Sequence, residues 1–159
     1  VSEFQTQEWQ NHIMGQLVSV DGSNHRLNTF TYDALLQMQQ AAELDGVSLE
    51  INTGSKNAYR TPGAAAAAGA ARNNTQAGAA TMSAHSLGNT ADFRLSHGNV
   101  SFNETDTAFT NIINGYRSPV YKWLALYGDQ YGFYNYRAEP WHWEHNPQGF
   151  KDQFREGGP

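Results

Sequence analysis

Three short stretches, scattered along the chain, alternate apolar and polar residues: Val47-Ser48-Leu49-Glu50-Ile51, Thr90-Ala91-Asp92-Phe93-Arg94-Leu95 and Trp141-His142-Trp143-Glu144-His145. A period of two belongs to a strand with one covered face, so each stretch needs partners over its apolar side. Val47, Leu49 and Ile51 form one such side, Ala91, Phe93 and Leu95 a second, and Trp141 and Trp143 a third. The opposite faces carry reactive groups, with Asp92 and Arg94 on one strand and His142 and Glu144 on another.

Helical patterns separate these strands. Thr31 or Asp33 can cap a helix carrying Leu35, Leu36, Met38, Ala41, Ala42 and Leu44, which stops at Asp45-Gly46. Residues 107–113 suggest a short helix, and residues 119–131 a better patterned one, with Val120, Trp123, Leu124, Leu126 and Tyr127. A peripheral helix is expected over 4–17, a loop over 20–24, a second loop over 96–106 and a short closing helix over 147–154. Residues 63–80 are almost entirely Ala, Gly, Asn and Gln, which fits either a short helix at 64–72 or a mobile loop. Helices gathered around a few strands, without internal repeats, indicate an α+β fold. At 159 residues the chain is sized for a single domain that buries its own core, so a bound metal would serve function rather than folding.

Composition removes several functions. With 10 basic against 15 acidic residues and no basic run, the chain lacks the Lys and Arg clusters that nucleic-acid binding requires. It has no Cys, so thiol nucleophiles and thiolate metal sites are excluded, and any metal must sit on His, Asp or Glu. No apolar stretch approaches the roughly 20 residues that span a bilayer.

A catalytic zinc ion takes three protein ligands and keeps one position open. His85, Asp92 and His142 supply two imidazoles and a carboxylate, and Gly88 between the first two lets the chain turn so that both can approach one point. This is not the helical spacing of H-E-x-x-H enzymes, so a sheet would have to assemble the site. Glu139 is the candidate base, but it lies three residues from His142 and would face the other side of a straight strand. Pro140 relieves that conflict, predicting irregular backbone through 138–140 that turns Glu139 toward the metal. His145 points away from His142, and His12, His25 and His97 are read as non-functional. A Ser83–His85 nucleophile is a poor alternative, because no G-x-S-x-G elbow and no separate orienting acid accompany it.

The segment Ser83-Ala-His85-Ser-Leu-Gly88, with Asp92 nine residues after the Ser and then Glu139-Pro-Trp-His142, resembles the LAS-type zinc peptidases. These include D-alanyl-D-alanine carboxypeptidases and dipeptidases, phage L-alanyl-D-glutamate endopeptidases and the hedgehog signalling domain. The likeness spans about residues 31–146 and takes in Ala41-Ala42-x-x-Asp45-Gly46 and Tyr59-Arg60-Thr61. It implies a small central antiparallel sheet flanked by helices, zinc on His85, Asp92 and His142, Glu139 as general base and Arg60 on the scissile carbonyl oxygen. Ser83, Tyr59 and Trp141 would contact or wall the substrate. The implied substrate is a peptidoglycan stem peptide, cleaved by a monomer that is periplasmic or secreted, or that a phage or secretion system delivers to the cell wall. D-Ala-D-Ala carboxypeptidase activity is the first expectation, L-Ala-D-Glu endopeptidase the second, and a non-catalytic zinc-containing module the third. The chain departs from the family pattern at Asn57-Ala58, where Ser-Gly is common, at Ala65, where Gln is common and for which Gln76 could substitute, and at Thr90, whose hydroxyl could approach the ligands. Lys56, Arg60, Arg72, Arg94 and Arg137 are candidate partners for a terminal carboxylate.

Overall fold

Among the described residues, helical Gln16 leads directly into a hairpin. In the computed structural model, which describes residues 16–53, 57–60 and 84–147, β1 (Leu17–Ser19) pairs antiparallel with β2 (Arg26–Asn28), Leu17 opposite Asn28. The polar run 20–24 forms its turn, with Asp21 and Gly22 at positive φ. The helices expected at 4–17 and 147–154, and the Ala-rich tract, lie almost wholly outside the described residues.

α1 (Thr29–Leu44) starts as soon as β2 ends, so its cap is Asn28 and not Thr31 or Asp33. The Asn28 side chain accepts from the Thr31 amide at 2.8 Å. Leu35, Met38 and Ala42 point into the core, whereas Leu44, grouped with them by sequence, lies exposed at the final turn. Gly46, at φ 77°, closes the helix in the left-handed conformation suited to glycine.

Residues 47–51 then run alongside the sheet without forming a full ladder. Ile51 makes a single bridge to Phe93, and Arg94 N donates to Glu50 O at 2.8 Å. β3 (Thr90–Asp92) is shorter than the expected 90–95, although Ala91, Phe93 and Leu95 are all buried as the alternation requires. The loop expected at 96–106 is present. α2 (Phe109–Arg117) begins later and runs further than the 107–113 pattern. α3 (Pro119–Tyr127) has Ser118 as its cap and tightens into a 3-10 turn, Gly128–Tyr131, where a continuous helix was expected. β4 (Phe133–Asn135) follows and had no signature in the sequence.

β5 (His142–His145) is the central strand of an antiparallel sheet ordered β3-β5-β4. Asp92 lies opposite His142, Thr90 and Tyr134 opposite Glu144, and Phe133 opposite His145. Ala91, Phe93, Phe133 and Trp143 join Leu27, Leu35, Met38 and Leu124 in the core. Each fully buried large apolar side chain contributes roughly 1.5–3 kcal/mol. The other face of the sheet carries Asp92, His142 and Glu144. Among the described residues, no helix is long and apolar enough to cross a membrane.

Candidate metal centre

His85 sits in a 3-10 turn, Ala84–Leu87, whose exit is Gly88 at φ 72°. A Cβ on Gly88 would come within 3.0 Å of Leu17 Cδ2 and 3.4 Å of Asn28 N, so both its conformation and its packing call for glycine. That turn reverses the chain and brings His85 back beside β3. Its Nδ1 lies 2.7 Å from Ala58 O. A carbonyl only accepts, so Nδ1 carries the hydrogen and Nε2 presents its lone pair to the site. Nε2 lies 3.2 Å from Asp92 Oδ1.

The β3–β5 register places His142 on the same face as Asp92, with His142 Nδ1 also 3.2 Å from Asp92 Oδ1. The three ligand atoms lie within 4.8 Å of one another, and all three residues are buried. They could hold a metal ion, and among the described residues they are the one such group. Asp92 Oδ1 is buried without a properly directed hydrogen bond, even though two ring nitrogens stand close to it. Three ligand atoms gathered this closely, one of them a buried carboxylate oxygen without a hydrogen bond, fit a cation, and two imidazoles with one carboxylate are a catalytic zinc set.

The electrostatics agree. Burial pushes the Asp92 carboxyl up, but the neighbouring His85 and His142 more than reverse this and hold it well below the usual carboxylate range. Burial alone would lower His142, yet Asp92 and Glu144 raise it to about 9. Without metal, the pocket therefore keeps a positive charge as a proton on His142.

Glu139 arrives as its spacing with Pro140 predicts. His142 N donates to Glu139 O at 3.0 Å, closing a turn over Pro140 that folds Glu139 back along β5. Its Oε2 ends 3.5 Å from His142 Nδ1. Asn135 pins this turn, its side-chain amide donating to Glu139 O and His142 O at 3.0 Å each. Gly115 gives the turn room, since a Cβ there would stand 2.8 Å from Pro140 Cγ.

Arg60 lies on the other side of the carboxylate, its Nη2 3.6 Å from Asp92 Oδ2. Asp92 thus directs one oxygen at the imidazoles and the other at the guanidinium. Tyr59 is buried, with Arg26 over its ring at 5.7 Å and its amide donating to Arg26 O. Trp141 is buried in the core, its ring 5.4 Å from that of Phe102. The Thr90 hydroxyl turns to Asn89 Oδ1 rather than to the ligands. Arg94 is exposed beside Glu50, and Arg137 takes part through its carbonyl, which accepts from the Tyr116 hydroxyl. Ser83, Lys56, Ala65, Arg72 and Gln76 lie outside the described residues.

Two contributors were not identified as such from sequence. Glu144 Oε1 lies 3.7 Å from His142 Nε2, on the far side of the ring from the metal position. Its signal was the two-residue period that puts it on the face of His142. Asn135 had none, because β4 itself was not visible.

No protein-family model and no curated protein matches the sequence. Among solved structures, the vancomycin resistance D,D-pentapeptidase VanY from a VanB-type cassette, a Glu-to-Ala variant in complex with Zn(II), aligns with a TM-score of 0.51 at 22% identity, covering 89% of this chain and 84% of that one. The chain has the VanY fold. VanYB in complex with D-Alanine-D-Alanine aligns with a TM-score of 0.47 at 20% identity, covering 81% and 76%. The VanY fold is the α+β arrangement that the LAS-type resemblance implied, with small antiparallel sheets flanked by helices.

Proposed function

We propose that this protein is a zinc-dependent peptidoglycan peptidase of the LAS type that removes the terminal D-Ala from stem peptides. The observation that carries the reading is the convergence of His85 Nε2, Asp92 Oδ1 and His142 Nδ1 with Glu139 standing beside them. A fold shared with a zinc-bound D,D-pentapeptidase supports the choice of bond.

Zinc on these three residues would polarise the scissile carbonyl and acidify a water. Glu139 takes the proton of the attacking water and returns it to the leaving amine, a role that typically contributes about 10²–10⁴-fold. Arg60 stands against Asp92 Oδ2, and its guanidinium charge stabilises the carbonyl oxygen as negative charge develops there. Glu144 holds the far nitrogen of His142, orienting the ring as outer partners of metal ligands do. Ser83, Tyr59 and Trp141 complete the substrate walls in this reading. The enzyme acts as a monomer on the extracytoplasmic side, where its substrate lies.

The test incubates zinc-loaded protein and Glu139→Ala with a synthetic stem pentapeptide and with purified peptidoglycan, reading products by mass spectrometry. Loss of one D-Ala, absent in the variant, supports the proposal. A fragment beginning at D-Glu would replace it with an endopeptidase, and intact substrates with bound zinc would leave a binding module.

A further inference from the structure

His145 takes no part in the chemistry above, yet it is only 2% exposed and ionisable. Its Nδ1 lies 3.0 Å from the Thr31 hydroxyl, which is itself fully buried and has no other hydrogen-bond partner among the described residues. The hydroxyl therefore donates its proton to Nδ1, which leaves the ring hydrogen on Nε2. Nε2 has no hydrogen-bond partner among the described residues, and His145 is one of the residues that line a cleft of about 620 Å³. Gly132 keeps that edge open, since a Cβ there would stand 3.2 Å from Nε2. Burial lowers His145 to about 4, so the donor it presents at neutral pH is uncharged.

The rest of the cleft sorts into two chemistries. Phe30 (57% exposed) and Tyr134 (49% exposed) offer apolar ring surface, while Asp33, Asp129 and Gln130 supply acceptors and an amide. Ring faces for C–H surface, carboxylates for hydroxyl groups and a neutral N–H at the floor match a saccharide. Tyr134 pairs with Glu144 on the face that carries His142. Strand spacing puts its backbone only about 8 Å from that of His142.

We propose that the cleft floored by His145 and flanked by Phe30 and Tyr134 binds a saccharide, namely the amino-sugar strand of the polymer whose peptide enters the metal centre. The choice of polymer rests on the peptidase reading, whereas the saccharide site does not. A glycan in the cleft would present its attached peptide across Tyr134 to His142, favouring assembled wall over free peptide.

The experiment titrates ¹⁵N-labelled protein with the N-acetylglucosamine tetramer and separately with tetramethylammonium, following amide shifts. Shifts centred on Gly132 and His145 with the sugar alone are expected, weakened roughly fivefold in Tyr134→Ala and, independently, in Phe30→Ala. Both variants should cleave free pentapeptide as the unaltered protein does and lose a similar factor on intact peptidoglycan. Silence with the sugar, or shifts with the ammonium only, would overturn the proposal. Because binding is read without turnover, sugar binding in a protein that cleaves nothing would overturn the peptidase reading alone.

Discussion

His142 and His145 stand on one strand, both are buried, and they behave in opposite ways. His142 is raised to about 9 and His145 lowered to about 4. Burial lowers both. The difference comes from what the pleat puts beside each ring: Asp92 and Glu144 for the first, a threonine hydroxyl and the rings of Phe30 and Phe133 for the second. One face of the sheet is thus arranged to hold positive charge, and the other to refuse it.

Removing a ligand breaks the contrast most severely. Asp92→Ala should abolish stoichiometric zinc in dialysed protein and reduce peptidase activity by more than about 10³-fold, since two imidazoles alone do not complete the set. Glu139→Ala should keep the zinc and lose roughly 10²–10⁴-fold in kcat. A variant that lost its metal as well would show that Glu139 acts as a ligand rather than a base.

The pH dependence of stability tests the His145 side. Its folded pKa lies below the value of about 6.5 for a free imidazole, so between the two the unfolded chain binds more protons. Its contribution is complete above about 6.5 and is lost as pH falls through 4, amounting to roughly 3 kcal/mol. Denaturant unfolding between pH 7 and 4 measures this, and His145→Phe should flatten that limb. An unchanged slope would mean that the imidazole is not the group resisting protonation. In metal-free protein His142 acts in the opposite sense, its share being present below about 6.5 and lost as pH rises through 9.

Smaller effects sharpen the account of how the site is held. Gly115→Ala should destabilise by about 1–3 kcal/mol through the clash with Pro140 and Phe102, and shift the pH profile of kcat if Glu139 moves with the turn. Asn28→Ala should cost about 1 kcal/mol by thermal unfolding, with zinc content unchanged.

The two faces were also unequally legible. Asp92, His142 and Glu139 could be placed from the strand period and one proline, because those rules act over neighbouring residues. The surroundings of His145 could not, because Thr31, Gly132 and Phe133 reach it through tertiary packing. β1, β2 and β4 have three residues each, too few for a period to show, and the hairpin preceding Thr29 moved the helix cap to Asn28. Leu44 fitted the helical pattern but sits where the helix has already left the core.

The short segment 57–60 supports the face that carries the candidate metal ligands. Asn57 O accepts from Asp92 N, Ala58 O from His85 Nδ1, and Arg60 N donates to His85 O. Two of the ligands thus take their bearing from peptide groups, and peptide groups belong to every residue type. No replacement of the side chain at 58 deletes the acceptor that sets the tautomer of His85. The tautomer of His85 is therefore written into the course of the backbone at 58, indifferent to which letter spells that position and vulnerable only to changes that shift the chain itself.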